Sequence, residues 1–307
     1  MGTPDFAVAT LKALLDENAN VVGVITAPDR PAGRGMKLQP SAVKQFAVEN
    51  GLTVLQPTNL KSEVFLEELK SLKATLQVVV AFRMLPEAVW NMPDHGTFNL
   101  HASLLPQYRG AAPINWAVIN GEKESGVTTF FLQHQIDTGN IIFQEKVSIG
   151  ENETAGELHD KLMEVGANLV VKTLAAIEGG NAPSIPQNTI VGELKDAPKI
   201  FKETCKIDWN KSCTDVFNHI RGLSPYPTAY TALVSGDEEI GLKVFKAGKT
   251  EKTEKAENGT IQVQNQRMFV KCSDGWLEIL ELQMAGKKRM ETMAFLLGFD
   301  VSEYCCK

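Results

Sequence analysis

The stretch TFNLHASLLPQYRGAAPI, Thr97 to Ile114, decides how the rest of the chain is read. It opens as a short β-type run whose alternation puts Asn99 and His101 on one face and Phe98 and Leu100 on the other. An amide and an imidazole therefore project side by side where the strand ends. A polar turn with Ser103 and Pro106 follows, then Tyr108-Arg109-Gly110, then a helix start at Pro113. Polar side chains at the carboxyl end of a strand, followed by an irregular loop, are where open α/β sheets place ligand sites. An amide donates and accepts hydrogen bonds, and an imidazole titrates near neutrality. The pair suits a reaction in which a proton moves while an oxyanion forms and decays. Downstream, Asp137 stands in HQIDTGNIIFQ between two strand-like runs, and a carboxylate beside an imidazole fixes its tautomer and raises its basicity.

Working outward, the N-terminal half alternates short apolar runs with amphipathic ones. Helices are expected over Phe6–Asn18, with Thr3 as cap and Pro4 at the first helical position, and over Ser41–Asn50 and Leu60–Leu72. Buried strands are expected at Val21–Thr26, Leu52–Leu55 and Leu76–Phe82, the last with three consecutive valines. Such alternation predicts an α/β fold, a Rossmann-like doubly wound, mostly parallel sheet. Thr154–Ile177 reads as one long helix opened by a capping box, Thr154 with Glu157 three places on, and closed at Gly179-Gly180. Its His159 reads as a surface residue.

The loop from Pro28 to Lys44 carries Arg30, Arg34, Lys37 and Lys44 against the single acid Asp29. Five prolines and glycines within it argue against regular structure. Gly33 and Gly35 give only a partial G-x-G without the third glycine, which excludes dinucleotide binding. Asn181–Lys199 is polar and aperiodic, a linker by composition. From Phe201 the pattern changes to one helix, Ser212–Gly222, and five short β-type runs, Thr228–Val234, Ile240–Phe245, Thr260–Val263, Met268–Lys271 and Trp276–Leu282, which suggest a small barrel. Lys249–Glu257 reads as an exposed turn, and Lys287-Lys288-Arg289 is a basic cluster.

Bulk numbers bound the function. A chain of 307 residues with 43% hydrophobic and 22% charged residues fits a globular protein of about two domains. No apolar run approaches the ~20 residues of a membrane span and no signal pattern opens the chain, so a cytoplasmic protein without a membrane is expected. The five cysteines, Cys205, Cys213, Cys272, Cys305 and Cys306, show no metal spacing, which predicts free thiols and no metal. Cys305 and Cys306 read as incidental tail residues. The net charge of −6 argues against coating nucleic acid by bulk attraction. Residues 201 to 307 balance 15 basic against 15 acidic side chains, so a polyanion must find local patches. Nothing marks a dimer seam, and a monomer is expected.

NLHASLLPQYRGAAPI with the IDTGNI segment resembles the signature of the formyltetrahydrofolate-dependent formyltransferases. MGTPDFAV, APDRPAGRGMKLQPSAVK, IRGLSPYPTAY and AGKKRM extend the resemblance over nearly the whole chain, to the branch that formylates methionyl initiator tRNA at the start of translation. The resemblance implies catalytic Asn99, His101 and Asp137, and contacts to the co-substrate 10-formyltetrahydrofolate through Ser103, Leu104, Leu105 and Pro106. It implies a turn at Arg83–Pro86 that shapes the pterin pocket, and tRNA contacts through the basic loop at Arg30, Arg34 and Lys37, with Lys287, Lys288 and Arg289 as a further phosphate track. It divides the chain into a catalytic domain over 1–180, a linker over 181–200 and an OB-like tRNA-binding β-barrel over 201–307. The family carries a β-strand before the GTPDF loop, so either the chain starts upstream of Met1, which is the expectation, or the sheet lacks a central strand.

The implied reaction moves a formyl group to the methionyl α-amino group. Asn99 and His101 hydrogen-bond the developing oxyanion, and Asp137 orients His101 and takes up charge as the amine proton leaves. Which of His101 and Asp137 receives the proton first stays open. Two rival readings share these residues. One is a formyltransferase of the same superfamily acting on glycinamide ribonucleotide or an amino sugar. The other is a catalytically inert tRNA-binding protein. The basic loop and the barrel argue against a small acceptor, and the intact trio argues against inertness.

Overall fold

The computed structural model describes residues 1–32, 36–187 and 193–307. In chain order the elements are α1 (Asp5–Asp16), β1 (Val24–Ile25), β2 (Arg30–Ala32), β3 (Lys37–Gln39), α2 (Ala42–Glu49), β4 (Val54–Leu55), α3 (Glu63–Ser71), β5 (Gln77–Val80), α4 (Glu87–Trp90), β6 (Thr97–His101), β7 (Arg109–Gly110), α5 (Pro113–Ile119), β8 (Glu124–Phe131) and β9 (Ile141–Ser148). They continue with α6 (Ala155–Glu178), β10 (Asp196–Ala197), α7 (Cys213–Leu223), β11 (Ala229–Ser235), β12 (Glu238–Lys249), β13 (Ile261–Gln264), β14 (Arg267–Lys271), β15 (Trp276–Met284), β16 (Met290–Glu291), α8 (Thr292–Leu296) and β17 (Cys305–Cys306). Two compact units result: Met1–Gly110 with Ser125–Val147 and Asp160–Asp196, and Ala111–Glu124 with Ser148–His159 and Ala197–Lys307. Helix α5 and the 148–159 segment thus group with the C-terminal half, although they precede it in sequence.

The first unit is a doubly wound α/β layer. β1 and β4 pair in parallel, as do β5 and β6, while β8 runs antiparallel to β6 and carries β9 on its far side. Between β1 and β5 lie Met1 and Gly2: the Gly2 N–H donates to Ile25 O at 3.1 Å and the Val80 N–H to Met1 O at 2.9 Å. These two residues supply the backbone partners that the neighbouring strands need there. Where their pairing stops, Leu11 and Leu14 of α1, Val24, Val78 and Ile177 line a cavity of about 550 Å³. One face of the layer buries Ile25 and Val79 against Phe65 and Leu69 of α3 and Val89 of α4. On the other, α6 lies so close to the sheet that a methyl on Gly166 would sit 2.9 Å from Leu100 Cδ2. Phe98 and Phe130 are among the side chains fully shielded from solvent. Burial of that size contributes about 2–3 kcal/mol per side chain relative to exposure.

Helix α1 begins at Asp5 with Pro4 as N-cap and no side-chain cap, so proline sits one place earlier than expected and Thr3 stands outside the helix. The 28–44 loop is more regular than its prolines and glycines predict. β2 and β3 form an antiparallel ribbon in register Arg30 with Gln39, Pro31 with Leu38 and Ala32 with Lys37. A two-stranded ribbon has a free edge on each strand, so Pro31 withholds no ladder hydrogen bond. The polar 181–199 segment also deviates from a plain tether. Ile185 exchanges both backbone hydrogen bonds with Ile141, at 2.8 and 2.9 Å, which straps this segment onto the first unit.

In the second unit a seven-stranded antiparallel sheet runs β13-β14-β15-β12-β11-β17, with β16 paired to β15. The ends of that order meet, since Thr260 and Cys305 form an antiparallel bridge and the Cys306 N–H donates to Gly259 O at 2.8 Å. The small barrel expected from five short runs is therefore present, consistent with the OB-like fold that the resemblance implies, and the two cysteines read as incidental form its closing strand. All five cysteines are free thiols, and burial pushes the Cys213 thiol up to about 11. The barrel core gathers Leu233, Leu242, Val244, Met268, Leu277 and Ile279 and is covered by Val216 and Ile220 of α7. Asn115 of α5 donates to Gly222 O at 2.8 Å, and Arg221 reaches Glu153 O at 2.8 Å, which ties α5 and the 148–159 segment to α7. The capping box forms as read: the Thr154 N–H donates to Glu157 Oε2 at 2.8 Å, and the Glu157 N–H to Thr154 Oγ1 at 3.2 Å.

Candidate active site

β6 is hydrogen-bonded on both sides, with Asn99 opposite Val79 on one neighbour and Phe130 on the other. This fixes the strand's carboxyl end, and with it Asn99 and His101, as a rigid platform. His101 Nε2 lies 2.9 Å from Tyr108 O. A carbonyl only accepts, so Nε2 carries the hydrogen, and in the neutral ring Nδ1 is the free base. Nδ1 faces Asp137 Oδ2 at 4.0 Å, and the two side chains are 8% and 12% exposed. The tautomer is thus set by the Tyr108 carbonyl rather than by Asp137, as the sequence reading had it. Tyr108 itself has φ +59° and donates its N–H to Lys195 O at 2.6 Å, so the strapping segment holds the residue that orients the histidine.

Asp137 sits in the β8–β9 connection with φ +53°, and its Oδ2 accepts the Gly110 N–H at 3.0 Å. Its carboxylate faces Nδ1 beyond direct hydrogen-bond reach, close enough to stabilise a positive ring. Gly139 in the same connection has no room for a side chain, because a Cβ there would lie 1.6 Å from Phe131 O. Asn99 completes the group. Its Oδ1 is buried and has no hydrogen-bond partner, the kind of orphaned polar atom that costs ~1–3 kcal/mol unless something binds it. Of the trio read from sequence, His101 and Asp137 face each other, and Asn99 precedes His101 by two residues on the same strand.

The residues expected to meet a folate stand next to it. Ser103 is buried and its Oγ donates to Gln107 O at 2.6 Å, while Leu105 and Pro106 are buried and Leu104 is half-buried. Thr128 anchors this turn. Its Oγ1 donates to Ser103 O at 2.6 Å and accepts the Leu105 N–H at 3.1 Å, and Gln144 Nε2 donates to Leu105 O at 2.9 Å. Thr128 and Gln144 escaped the sequence reading because each lies in an ordinary strand pattern. Arg83 of the 83–86 turn donates to the carbonyls of Pro57 and Thr58 and so pins that turn.

Of the basic residues, Arg30 is exposed on β2, Lys37 lies in β3, and Arg34 lies outside the described residues. Lys44 is paired with Asp29 at 2.7 Å, and Asp29 also accepts from Gln56 at 2.8 Å. That hydrogen bond, with the Lys44 ammonium, holds the Asp29 carboxyl below its usual range. Lys287 and Lys288 are exposed, but Arg289 is not a free cation. Its guanidinium forks onto Glu281 with two bonds of 2.6 Å and lies 4.2 Å above the Phe245 ring. Among the described residues no group of three His, Cys, Asp or Glu side chains is placed to hold a metal ion, and no helix is long and apolar enough to cross a membrane.

Comparison with known proteins agrees with this architecture. Residues 1–174 match the formyl transferase model and residues 199–300 match the formyl transferase C-terminal domain. A methionyl-tRNA formyltransferase of Bacteroides fragilis is 54% identical over 307 aligned positions, covering 99% of this chain and 95% of that protein. Another, of Flavobacterium johnsoniae, is 52% identical over 99% of this chain and 96% of its own length. Among solved structures, the N-formyltransferase of Helicobacter canadensis in complex with folinic acid and dTDP-3-aminofucose shares the fold with a TM-score of 0.65 at 23% identity, covering 94% of this chain and 97% of that one. With both domain models matched in order and relatives above half identity along almost its entire length, the chain belongs to the formyl transferase family.

Proposed function

We propose that this protein transfers the formyl group of 10-formyltetrahydrofolate to the α-amino group of methionyl initiator tRNA, in the cytoplasm, as a step of translation initiation. The observation that carries the reading is the facing pair His101 and Asp137, with the unpaired Asn99 oxygen two residues before His101 on β6. The names of the full-length relatives support the acceptor. The donor set fits a folate carrying a one-carbon unit. An unpartnered amide oxygen and the free ring nitrogen of His101 lie beside a turn whose backbone Thr128 and Gln144 fix, with Ser103, Leu104, Leu105 and Pro106 offering shape rather than charge. In this reading residues 1–180 carry the chemistry, 181–200 connect, and 201–307 bind tRNA together with Arg30, Arg34 and Lys37 of the ribbon and Lys287 and Lys288 of the barrel.

The residues act as follows. Asn99 donates through its Nδ2 to the formyl oxygen as the amine nitrogen bonds the formyl carbon and negative charge grows on that oxygen, and its unpaired Oδ1 is left to accept from the attacking amine. His101, with Nε2–H committed to Tyr108, has only Nδ1 to offer the reacting groups. The His101–Asp137 pair takes the proton that the attacking nitrogen must shed, and Asp137 stabilises the ring while it is positive. The same pair is placed to return that proton to the nitrogen of the donor as its bond to the formyl carbon breaks.

The test uses labelled formyl donor with either aminoacylated initiator tRNA or free methionine. Label is expected on the tRNA only, and comparable labelling of free methionine would refute the acceptor. Asn99→Ala, His101→Ala and Asp137→Ala are each expected to lower turnover by about 100-fold or more with unchanged melting. Near-normal turnover in all three would defeat the site assignment.

A further inference from the structure

The strapping segment brings one buried amide into the site. Gln187 is 4% exposed, yet every hydrogen-bonding atom of its side chain is committed. Its Nε2 donates to Asp137 O at 3.0 Å and to Gly139 O at 2.8 Å. Its Oε1 accepts from Arg109 Nε at 3.2 Å and from Arg109 Nη2 at 2.6 Å. The assignment of oxygen and nitrogen is forced, because carbonyls only accept and a guanidinium only donates. Asp137 is therefore held from two sides, its carboxylate by the Gly110 N–H and its main chain by Gln187.

We infer that Gln187 is a positioning residue for Asp137, acting through the backbone of the 137–139 turn and tying that turn to Arg109. The inference rests on the proposed role of Asp137. Three physical points carry it. Asp137 occupies the left-handed region, φ +53°, which costs a non-glycine residue about 1 kcal/mol or more and persists only where the surroundings impose it. Two carbonyls in that turn accept from one side chain, the Asp137 one part-buried and the Gly139 one buried, so losing the amide removes a donor from both. Only a side chain of this length with donors on one atom and an acceptor on the other suits two carbonyls and a guanidinium together. Glutamate keeps the Arg109 contact but sets a carboxylate against two carbonyls, and methionine fills the space and satisfies none of the three groups. Backbone pairing of Ile185 with Ile141, two residues upstream, delivers Gln187 to this place. A polar, aperiodic stretch of sequence gives no hint of it.

The experiment compares Gln187→Met, Gln187→Glu and Gln187→Asn in the full-length protein, with and without Asp137→Asn. A misplacement of about 1 Å at a reacting group costs on the order of 100-fold in rate. Gln187→Met and Gln187→Glu are expected to lower kcat about 10- to 100-fold while KM for 10-formyltetrahydrofolate stays within about twofold. Gln187→Asn, which keeps the amide but falls one methylene short, is expected to lose less. In the Asp137→Asn background the Gln187 changes are expected to cost almost nothing further, since their effect runs through the carboxylate. Wild-type kcat in Gln187→Met, a loss confined to KM, or an equal further loss on top of Asp137→Asn would overturn the inference. If Gln187→Met does not fold, the kcat of Gln187→Asn and Gln187→Glu decides. An inactive Asp137→Asn beside a fully active Gln187→Met sinks this inference alone, whereas an active Asp137→Asn sinks the reading of the site.

Discussion

One hydrogen bond sets the chemistry of His101. Because Nε2 is committed to the Tyr108 carbonyl, the ring has a single nitrogen left for proton transfer. A second histidine shows the opposite use of the same side chain. His219 on α7 is half-buried, its Nε2 is shielded and has no hydrogen-bond partner, and the ring interacts with the Cys205 backbone and with the Lys211 charge. Burial lowers its pKa from the ordinary 6.5, so the folded protein holds it neutral while the unfolded chain protonates it. Between the ordinary value and the lowered one, the unfolded state binds the extra proton. Stability from this group is therefore complete above about pH 6.5 and falls on acidification, at up to about 1.4 kcal/mol per pH unit. Urea melts at pH 7.5 and 5.5 are expected to show a larger loss for the natural chain than for His219→Gln. Equal losses would place the acid sensitivity elsewhere.

Elements carry the site by their ends and connections. β6 presents Asn99 and His101, and the β8–β9 connection presents Asp137, so the geometry depends on how tightly that connection turns. Gly139 is the residue that lets it do so, since a Cβ there would overlap the Phe131 carbonyl at 1.6 Å. Gly139→Ala is expected to push the connection off β8 and to lower turnover about 100-fold, comparably to loss of Asp137, with a smaller effect on the barrel's unfolding. Turnover within twofold of the natural chain would show that Asp137 tolerates the shift. The 28–44 segment makes the complementary point. Lys44, one of the four basic residues that the sequence sets against Asp29, is paired with that acid at 2.7 Å, next to the first residue of the β2–β3 ribbon.

At the scale of the whole molecule, charge is placed rather than abundant. The chain is acidic overall, with net charge −6, and the barrel half balances its charges. Attraction for a polyanion therefore falls to local groups of exposed cations. Lys287 and Lys288 are exposed at the β15–β16 turn, while Arg289 beside them is neutralised by Glu281. Lys287→Ala with Lys288→Ala is expected to weaken tRNA binding in proportion to salt, reducing the slope of log K against log salt by about 1–2, and to leave 10-formyltetrahydrofolate binding unchanged. Arg289→Ala is expected to leave that slope unchanged and to lower stability instead. An unchanged slope in the double lysine variant would remove this turn from the tRNA surface.

The sequence by itself determined whatever is local or periodic. The valine run of β5, the apolar faces of α1 and α6, the Thr154–Glu157 box and the short runs of the barrel are readable because a strand or helix face repeats at a fixed spacing. The side-by-side projection of Asn99 and His101 is readable for the same reason, being a property of two residues on one strand. Only the tertiary structure decided the rest, because it depends on contacts between residues distant along the chain. The Tyr108 carbonyl chose the tautomer of His101. Gln187, 50 residues beyond Asp137, closed the turn behind that carboxylate. Glu281 took Arg289 out of the basic cluster, and Cys305 and Cys306 closed the barrel. A hydrogen bond between such groups has no period and no composition, so it leaves no mark on the sequence until folding has brought donor and acceptor within about 3 Å of each other.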